Sequence, residues 1–213
     1  MLILSIDSAG AGCAVCVWHD GIVLAGARET MQRGQDARLM PMIVDTVAAA
    51  GLQFTDLDRV AVTRGPGSFT GLRVGLSAAQ GIALAANKPL FGIDRFSVYR
   101  EMYGKAGTDL LVVIDSRRAD LFCRFFPATA QASGDTHEAA LMTQPQIDAF
   151  LVAHPGTATA GDIAMPDENV TAACAQLAAW AQKAQGEYEA TPLYLRAPDV
   201  TLPAQGVFGA ISR

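Results

Sequence analysis

Positive charge is scarce in this chain: 16 lysines and arginines stand against 21 aspartates and glutamates, for a net charge of −5. Charged residues of both signs make up only 17% of its 213 positions. Gripping a nucleic acid through a protein's own field needs a concentrated basic face, so this composition is a poor match to that mode of binding. Arg64, Arg73, Arg95, Arg117 and Arg118 fit either a small local positive patch or scattered solvated side chains. Histidine is nearly missing as well. His19, His137 and His154 are far apart, with no H-x-x-x-H or H-E-x-x-H, which removes a local zinc motif. No stretch approaches the ~18 uncharged apolar residues of a membrane span. The opening Met1-Leu2-Ile3-Leu4-Ser5-Ile6-Asp7 has neither the basic start nor the apolar length of a signal peptide. A cytoplasmic, soluble chain is expected.

Cysteine is also sparse. Cys13 and Cys16 form a C-x-x-C, yet Ala14-Val15-Cys16-Val17-Trp18 reads as a strand. Residues three apart on a strand point to opposite faces, so the two thiols do not meet. Buried, reduced thiols are the expected state of these two and of Cys123 and Cys174.

Apolar residues, by contrast, supply 51% of the chain, enough for one large domain or two small lobes. Internal repetition favours lobes. Residues 2–15 align without a gap with residues 110–123, with Leu, Ile, Asp and Ser recurring in place. In both copies an apolar strand ends in Asp-Ser, turns, and enters a second apolar strand. The first copy continues through the turn His19-Asp20-Gly21 into a third strand over 22–28, giving a meander. A helix over 37–50 follows, with Leu39, Met42, Ile43, Thr46, Val47 and Ala50 on one face and Gly51 as its stop. Next come a strand at 59–63, a helix over about 70–86 ended by Asn87-Lys88-Pro89, and a strand at 90–93. The second half reads more thinly, with helices over 144–153 and 170–185, a short strand at 157–161 and a polar connection at 131–138. A meander followed by alternating strands and helices is an α/β lobe, here doubled. The division is expected at 104/105, with lobes 1–104 and 105–213 and a tail free to return to the first lobe.

The most specific stretch is Arg64-Gly65-Pro66-Gly67-Ser68-Phe69-Thr70-Gly71-Leu72-Arg73, a glycine turn between strand and helix. Gly65 and Gly67 permit positive φ or close approach, Pro66 stiffens the bend, and Ser68 or Thr70 is placed to cap the helix. The turn suits an anion, a docked partner, or neither. Neither G-x-G-x-x-G nor G-x-x-x-x-G-K-[ST] is matched. Ser68 lies in G-S-F-T-G rather than G-x-S-x-G, with no histidine near it in sequence, so a peptidase nucleophile has no support.

As a literal string this segment resembles the signature of the TsaB (YeaZ) family. The opening Ile3-Leu4-Ser5-Ile6-Asp7-Ser8, the continuation Gly75-Leu76-Ser77-Ala78-Ala79-Gln80-Gly81 and the late Pro192-Leu193-Tyr194-Leu195-Arg196 agree with it. The resemblance implies a two-lobed actin-like, ribonuclease-H-like duplicated α/β fold. It implies a non-catalytic subunit that pairs with TsaD and works with TsaE to make threonylcarbamoyladenosine in tRNA, meeting tRNA only through the complex. Isolated members of the family pair with themselves, so a homodimer is expected of the chain alone. Relatives of this fold that use ATP grip it between matching turns, one per lobe. Here the first, with Asp7, Ser8 and Gly10, is permissive, whereas the second, with Asp115, Ser116, Arg117 and Arg118, has no glycine. These read as vestigial phosphate turns. Asp7 and Asp115 fit either a carboxylate pair for Mg²⁺ or strand-end aspartates bonding their own turns. The metal-binding histidines that TsaD carries on the first helix of its first lobe have no counterpart at 34–41. ATP, Mg²⁺ and the TsaD metal are therefore expected from the complex, with no cofactor held by this chain alone. An ATP-dependent small-molecule kinase of the same fold is the alternative.

The expected pairing surface is Leu39, Met40, Ile43, Val44 and Val47 of the first helix with Gly71, Gly75 and Ala78 of the second. Met40, Val44 and Ala48 form a second apolar stripe beside the core face. Burial of both helices inside the lobe fits the same pattern.

Overall fold

The computed structural model describes residues 1–129, 138–162, 170–184 and 189–196. The polar connection expected at 131–138, apart from Glu138, and the tail with Gly206 and Gly209 lie outside these residues.

Alternating apolar residues produce two sheets of matching plan. In the first, β1 (Leu2–Asp7), β2 (Gly12–His19) and β3 (Ile22–Thr30) form an antiparallel meander, and β4 (Arg59–Thr63) and β5 (Leu90–Ile93) add in parallel beyond β1. The order is β3-β2-β1-β4-β5. The second sheet repeats it as β8-β7-β6-β9, with β6 (Leu110–Asp115), β7 (Asp120–Phe126), β8 (Ala140–Thr143) and a parallel β9 (Ala158–Ala160). Asp7 and Asp115 end the equivalent central strands, as the gapless alignment of the two halves requires.

Both faces of each sheet need cover, because β1, β2, β4 and β6 are almost wholly buried. On the first sheet, α1 (Gln35–Ala49) and α2 (Phe69–Ala86) cover one face, packing Leu39, Ile43, Val47 and Leu76 against Leu4, Ile6 and Val15. Its other face meets Leu177, Ala178 and Ala181 of α5 (Val170–Lys183). On the second sheet, Phe96 and Tyr99 of α3 (Arg95–Tyr103) join Leu110, Val112 and Phe122, while Ile147 of α4 (Gln144–Ala153) closes the opposite face. The layers therefore do not follow the expected division at 104/105: α3 packs on the second sheet, and α5 packs on the first. Each element goes where its buried face finds a complementary one, and chain order does not constrain that choice.

Sequence periodicity misses α3, whose apolar residues serve two layers at once. Phe96 and Tyr99 face the second sheet and Val98 faces the α5 layer, so no single stripe marks the helix. Helix ends obey local chemistry. The Asp94 carboxylate accepts the Ser97 N–H to start α3, the Ser68 hydroxyl accepts the Gly71 N–H to start α2, and Asn87 at φ +52° ends α2. Among the described residues no helix is long and apolar enough to cross a membrane.

The C-x-x-C thiols lie on opposite faces, Cys13 toward α1 and α2 and Cys16 toward α5. All four cysteines are free and buried. Burial pushes the Cys13, Cys16 and Cys123 thiols up to about 11 from an ordinary value of 9.0, with nearby Asp7 adding to the effect at Cys13. Thiols raised in the folded state hold protons that the unfolded chain loses, so their contribution is complete below about pH 9 and disappears as pH rises through about 11. Urea midpoints should accordingly fall from pH 8 to pH 10.5, and alkylation at pH 8 should require unfolding. Rapid modification of all four thiols in the folded chain would contradict this arrangement.

Candidate functional site

The two repeated turns and the glycine turn converge where the lobes meet. Asp7 Oδ1 accepts the Ala9 N–H at 2.9 Å and the Thr63 hydroxyl at 2.7 Å, closing its own turn and tying it to β4. Asp115 Oδ1 likewise accepts the Arg117 N–H at 2.7 Å. Each aspartate thus bonds its own turn. The Ser8 hydroxyl donates to the Gly71 carbonyl at 2.7 Å, and the Ser116 hydroxyl donates to Asp120. No group of three or more His, Cys, Asp or Glu that could hold a metal gathers among the described residues.

The glycine turn is spent on close packing within the chain. A Cβ on Gly67 would stand 2.2 Å from the Ala9 carbonyl oxygen, and one on Gly71 2.1 Å from that of Ser8. Gly75 would meet the Ser8 hydroxyl at 2.2 Å. Gly65, at φ +112°, has Leu193 O only 2.8 Å from its Cβ position, beside a cis Gly65–Pro66 bond. The Ser68 N–H donates to Ala9 O at 2.8 Å, so the start of α2 is seated directly on the first turn. Thr70 is exposed, and Ser68 provides the cap. Arg117 reaches from the second turn to donate to Gly10 O at 2.8 Å. Two backbone donors that face this junction are thus spent within the chain, the Ala9 N–H on Asp7 and the Ser68 N–H on Ala9 O.

Burial revises the expected pairing surface. Leu39, Ile43 and Val47 are core residues, fully or almost fully buried against the first sheet, because α1 turns its more continuous apolar stripe inward. Gly71 and Gly75 face Ser8 rather than a second molecule. Met40 and Val44 remain exposed, at 41% and 48%, and Ala78 is half-buried. Beside them runs an apolar groove of about 780 Å³ between α1 and α2, lined by Met40, Phe54, Val74, Ala78, Ile82 and Ala85. Arg73 also lines it, with its guanidinium 3.9 Å over the Phe69 ring and its Nε donating to the Tyr194 hydroxyl at 3.1 Å. Phe69 and Tyr194 pack at 5.2 Å and are both about two-fifths exposed, at 40% and 39%. Stacking and hydrogen bonding hold Arg73 in place at the groove.

The late motif 192–196 straps the lobes together. Leu193 N donates to Arg64 O at 2.6 Å, Leu195 packs with the second-lobe cluster, and Arg196 pairs with Asp120. Arg64 itself contributes backbone: its N–H bonds Ile93 O. Arg95 belongs to no positive patch. Its guanidinium is buried between the lobes against Asp162, with Tyr99 beside it. Sequence reasoning missed Tyr99 and Asp162; the available signal was an acidic residue directly following the short strand at 157–161.

A family model described as TsaD, tRNA N6-adenosine threonylcarbamoyltransferase, matches residues 29–160. The Escherichia coli tRNA threonylcarbamoyladenosine biosynthesis protein TsaB is 34% identical over 149 residues, covering 69% of this chain and 64% of that protein. The Haemophilus influenzae TsaB match covers 52% of its protein, so both alignments span less than two thirds of these relatives. An uncharacterized Mycobacterium tuberculosis protein is 31% identical over 201 residues, or 92% of each chain. The YeaZ structure from Pseudomonas aeruginosa superposes with a TM-score of 0.68 at 23% identity, over 91% of this chain and 99% of that one. The shared architecture is the two-lobed actin-like fold.

Proposed function

Because the chain belongs to the TsaD family, in its TsaB (YeaZ) group, we propose that it serves tRNA threonylcarbamoyladenosine biosynthesis as a non-catalytic scaffold. In this reading it pairs with TsaD, works alongside TsaE, and leaves ATP, Mg²⁺, the catalytic metal and the tRNA to the rest of the complex. Alone, it pairs with a second copy of itself. The observation that carries the proposal is the groove between α1 and α2, apolar along its floor and lined by the exposed Met40, with the exposed Val44 one turn further along α1. An exposed apolar groove on a firmly seated helix pair is suited to receive helices of another protein. The first turn supports the non-catalytic part, since its Ala9 N–H and Ser8 hydroxyl already donate to Asp7 and to Gly71 O.

Reconstitution tests this function. Purified TsaD, TsaE and the carbamoyl-adenylate synthase should modify tRNA at least about tenfold faster with this chain than without it, a difference of ~1.4 kcal/mol in barrier. Equal rates would end the scaffold reading. Turnover of Mg-ATP by the chain alone would favour the kinase of the same fold.

A further inference from the structure

Where the lobes meet, a buried guanidinium takes part in every layer of the junction. Arg95 opens α3, and its backbone N–H donates to Gly65 O at 2.8 Å. Its Nη2 donates to Asp162 Oδ1 at 2.6 Å and its Nη1 to Asp162 Oδ2 at 3.3 Å, a two-pronged contact with a carboxylate that follows β9. Nη1 also reaches Pro66 O at 3.3 Å, Nη2 reaches the Tyr99 hydroxyl at 3.4 Å, and Nε lies 4.0 Å from Asp7 Oδ2. Asp162 in turn accepts the Tyr99 hydroxyl and the Asp115 N–H. One guanidinium thus joins the end of β1 and the glycine turn of the first lobe to the ends of β6 and β9 in the second.

We infer that Arg95 is an inter-lobe latch, a positioning residue that sets the angle between the lobes and holds the glycine turn under α2. A charge this deeply buried is tolerated only when its partners surround it, and a forked Arg–carboxylate contact is directional as well as strong. Burial works against the charged form, but Asp162, and after it Tyr99 and Asp7, more than compensate, so the guanidinium stays charged. Because Arg95 touches Pro66 and Gly65 as well as Asp162, movement of the second lobe is carried to the seat of α2. The link from α2 to a partner rests on the proposed function; the latch does not.

The test uses the chain alone, so its result is separable from any failure to bind TsaD. Dyes on cysteines introduced at Leu84 of the first lobe and Val152 of the second, 84% and 83% exposed, report lobe separation by single-molecule energy transfer. The parent should give one narrow distribution, which Arg95→Met and Asp162→Asn should each broaden. The double variant should be no broader than either single one, since both remove the same contact. Hydrogen exchange at the Ser68 and Arg95 amides should accelerate about tenfold or more while β2 amides keep their rates. Tyr99→Phe removes one hydroxyl and keeps the packing, so it should shift both readouts less, in the same direction. It carries the test if Arg95→Met does not fold, and the 189–196 strap still ties the lobes in every variant. Unchanged distributions in folded variants, or exchange rising equally throughout both sheets, would overturn the latch.

Discussion

Gly71→Val should lower the melting temperature by roughly 6–12 °C, from about 3 kcal/mol of overpacking at 2–4 °C per kcal/mol for a chain of this size. The added Cβ would stand 2.1 Å from the Ser8 carbonyl oxygen, a backbone atom whose turn is closed by Asp7 and whose side chain bonds Gly71 in return. Nothing there can rotate aside, so α2 must lift from the first turn. Pairing through the α1–α2 groove should weaken in the same variant. Gly75→Ala is a milder case because the atom it meets is the Ser8 hydroxyl, which can turn away. Gly81→Ala provides the opposite sign: nothing lies within 4 Å of its Cβ position, and replacing glycine within a helix stabilises by about 1 kcal/mol. Calorimetry of the three variants checks the order, and an unchanged melting temperature for Gly71→Val would remove the proposed seat of α2.

Leu39→Glu and Val44→Glu lie on one helix and should fail in different ways. Leu39 is fully buried, so glutamate there loses apolar packing and places a carboxylate without a partner against the first sheet. The expected cost is about 4 kcal/mol or more, enough to leave little folded protein. Val44 is 48% exposed, and glutamate there should change stability by no more than ~0.5 kcal/mol. Its effect should appear in pairing: losing an apolar anchor worth about 2 kcal/mol weakens a complex roughly 30-fold. Circular dichroism separates the two outcomes, and sizing chromatography reads the second. A Val44→Glu chain that still pairs at parental strength would place the interface elsewhere.

Much of the architecture was written locally. The two Asp-Ser strand ends, the meander, the starts of α2 and α4 and the opposed C-x-x-C thiols follow from alternation, capping and turn chemistry, all of which act over a few residues. The pairing surface was legible only in part. α1 carries two apolar stripes, and the core stripe with Leu39, Ile43 and Val47 is fully used against the sheet, so only Met40 and Val44 of the expected surface on this helix stay exposed. Gly71 and Gly75 form a small-residue face in any helix, and only the neighbouring Ser8 shows what it accommodates.

The amino-acid order by itself determined the repeated half, the path through each turn and the family resemblance, because those depend on residue types at short, fixed spacings. Tertiary structure alone decided that α3 and α5 would cover each other's sheets, that Gly71 and Gly75 would be spent on Ser8, and that Arg95 would meet Asp162. Such choices are made by complementary surfaces and charges far apart in the chain, and nothing in the local pattern around either partner encodes the other.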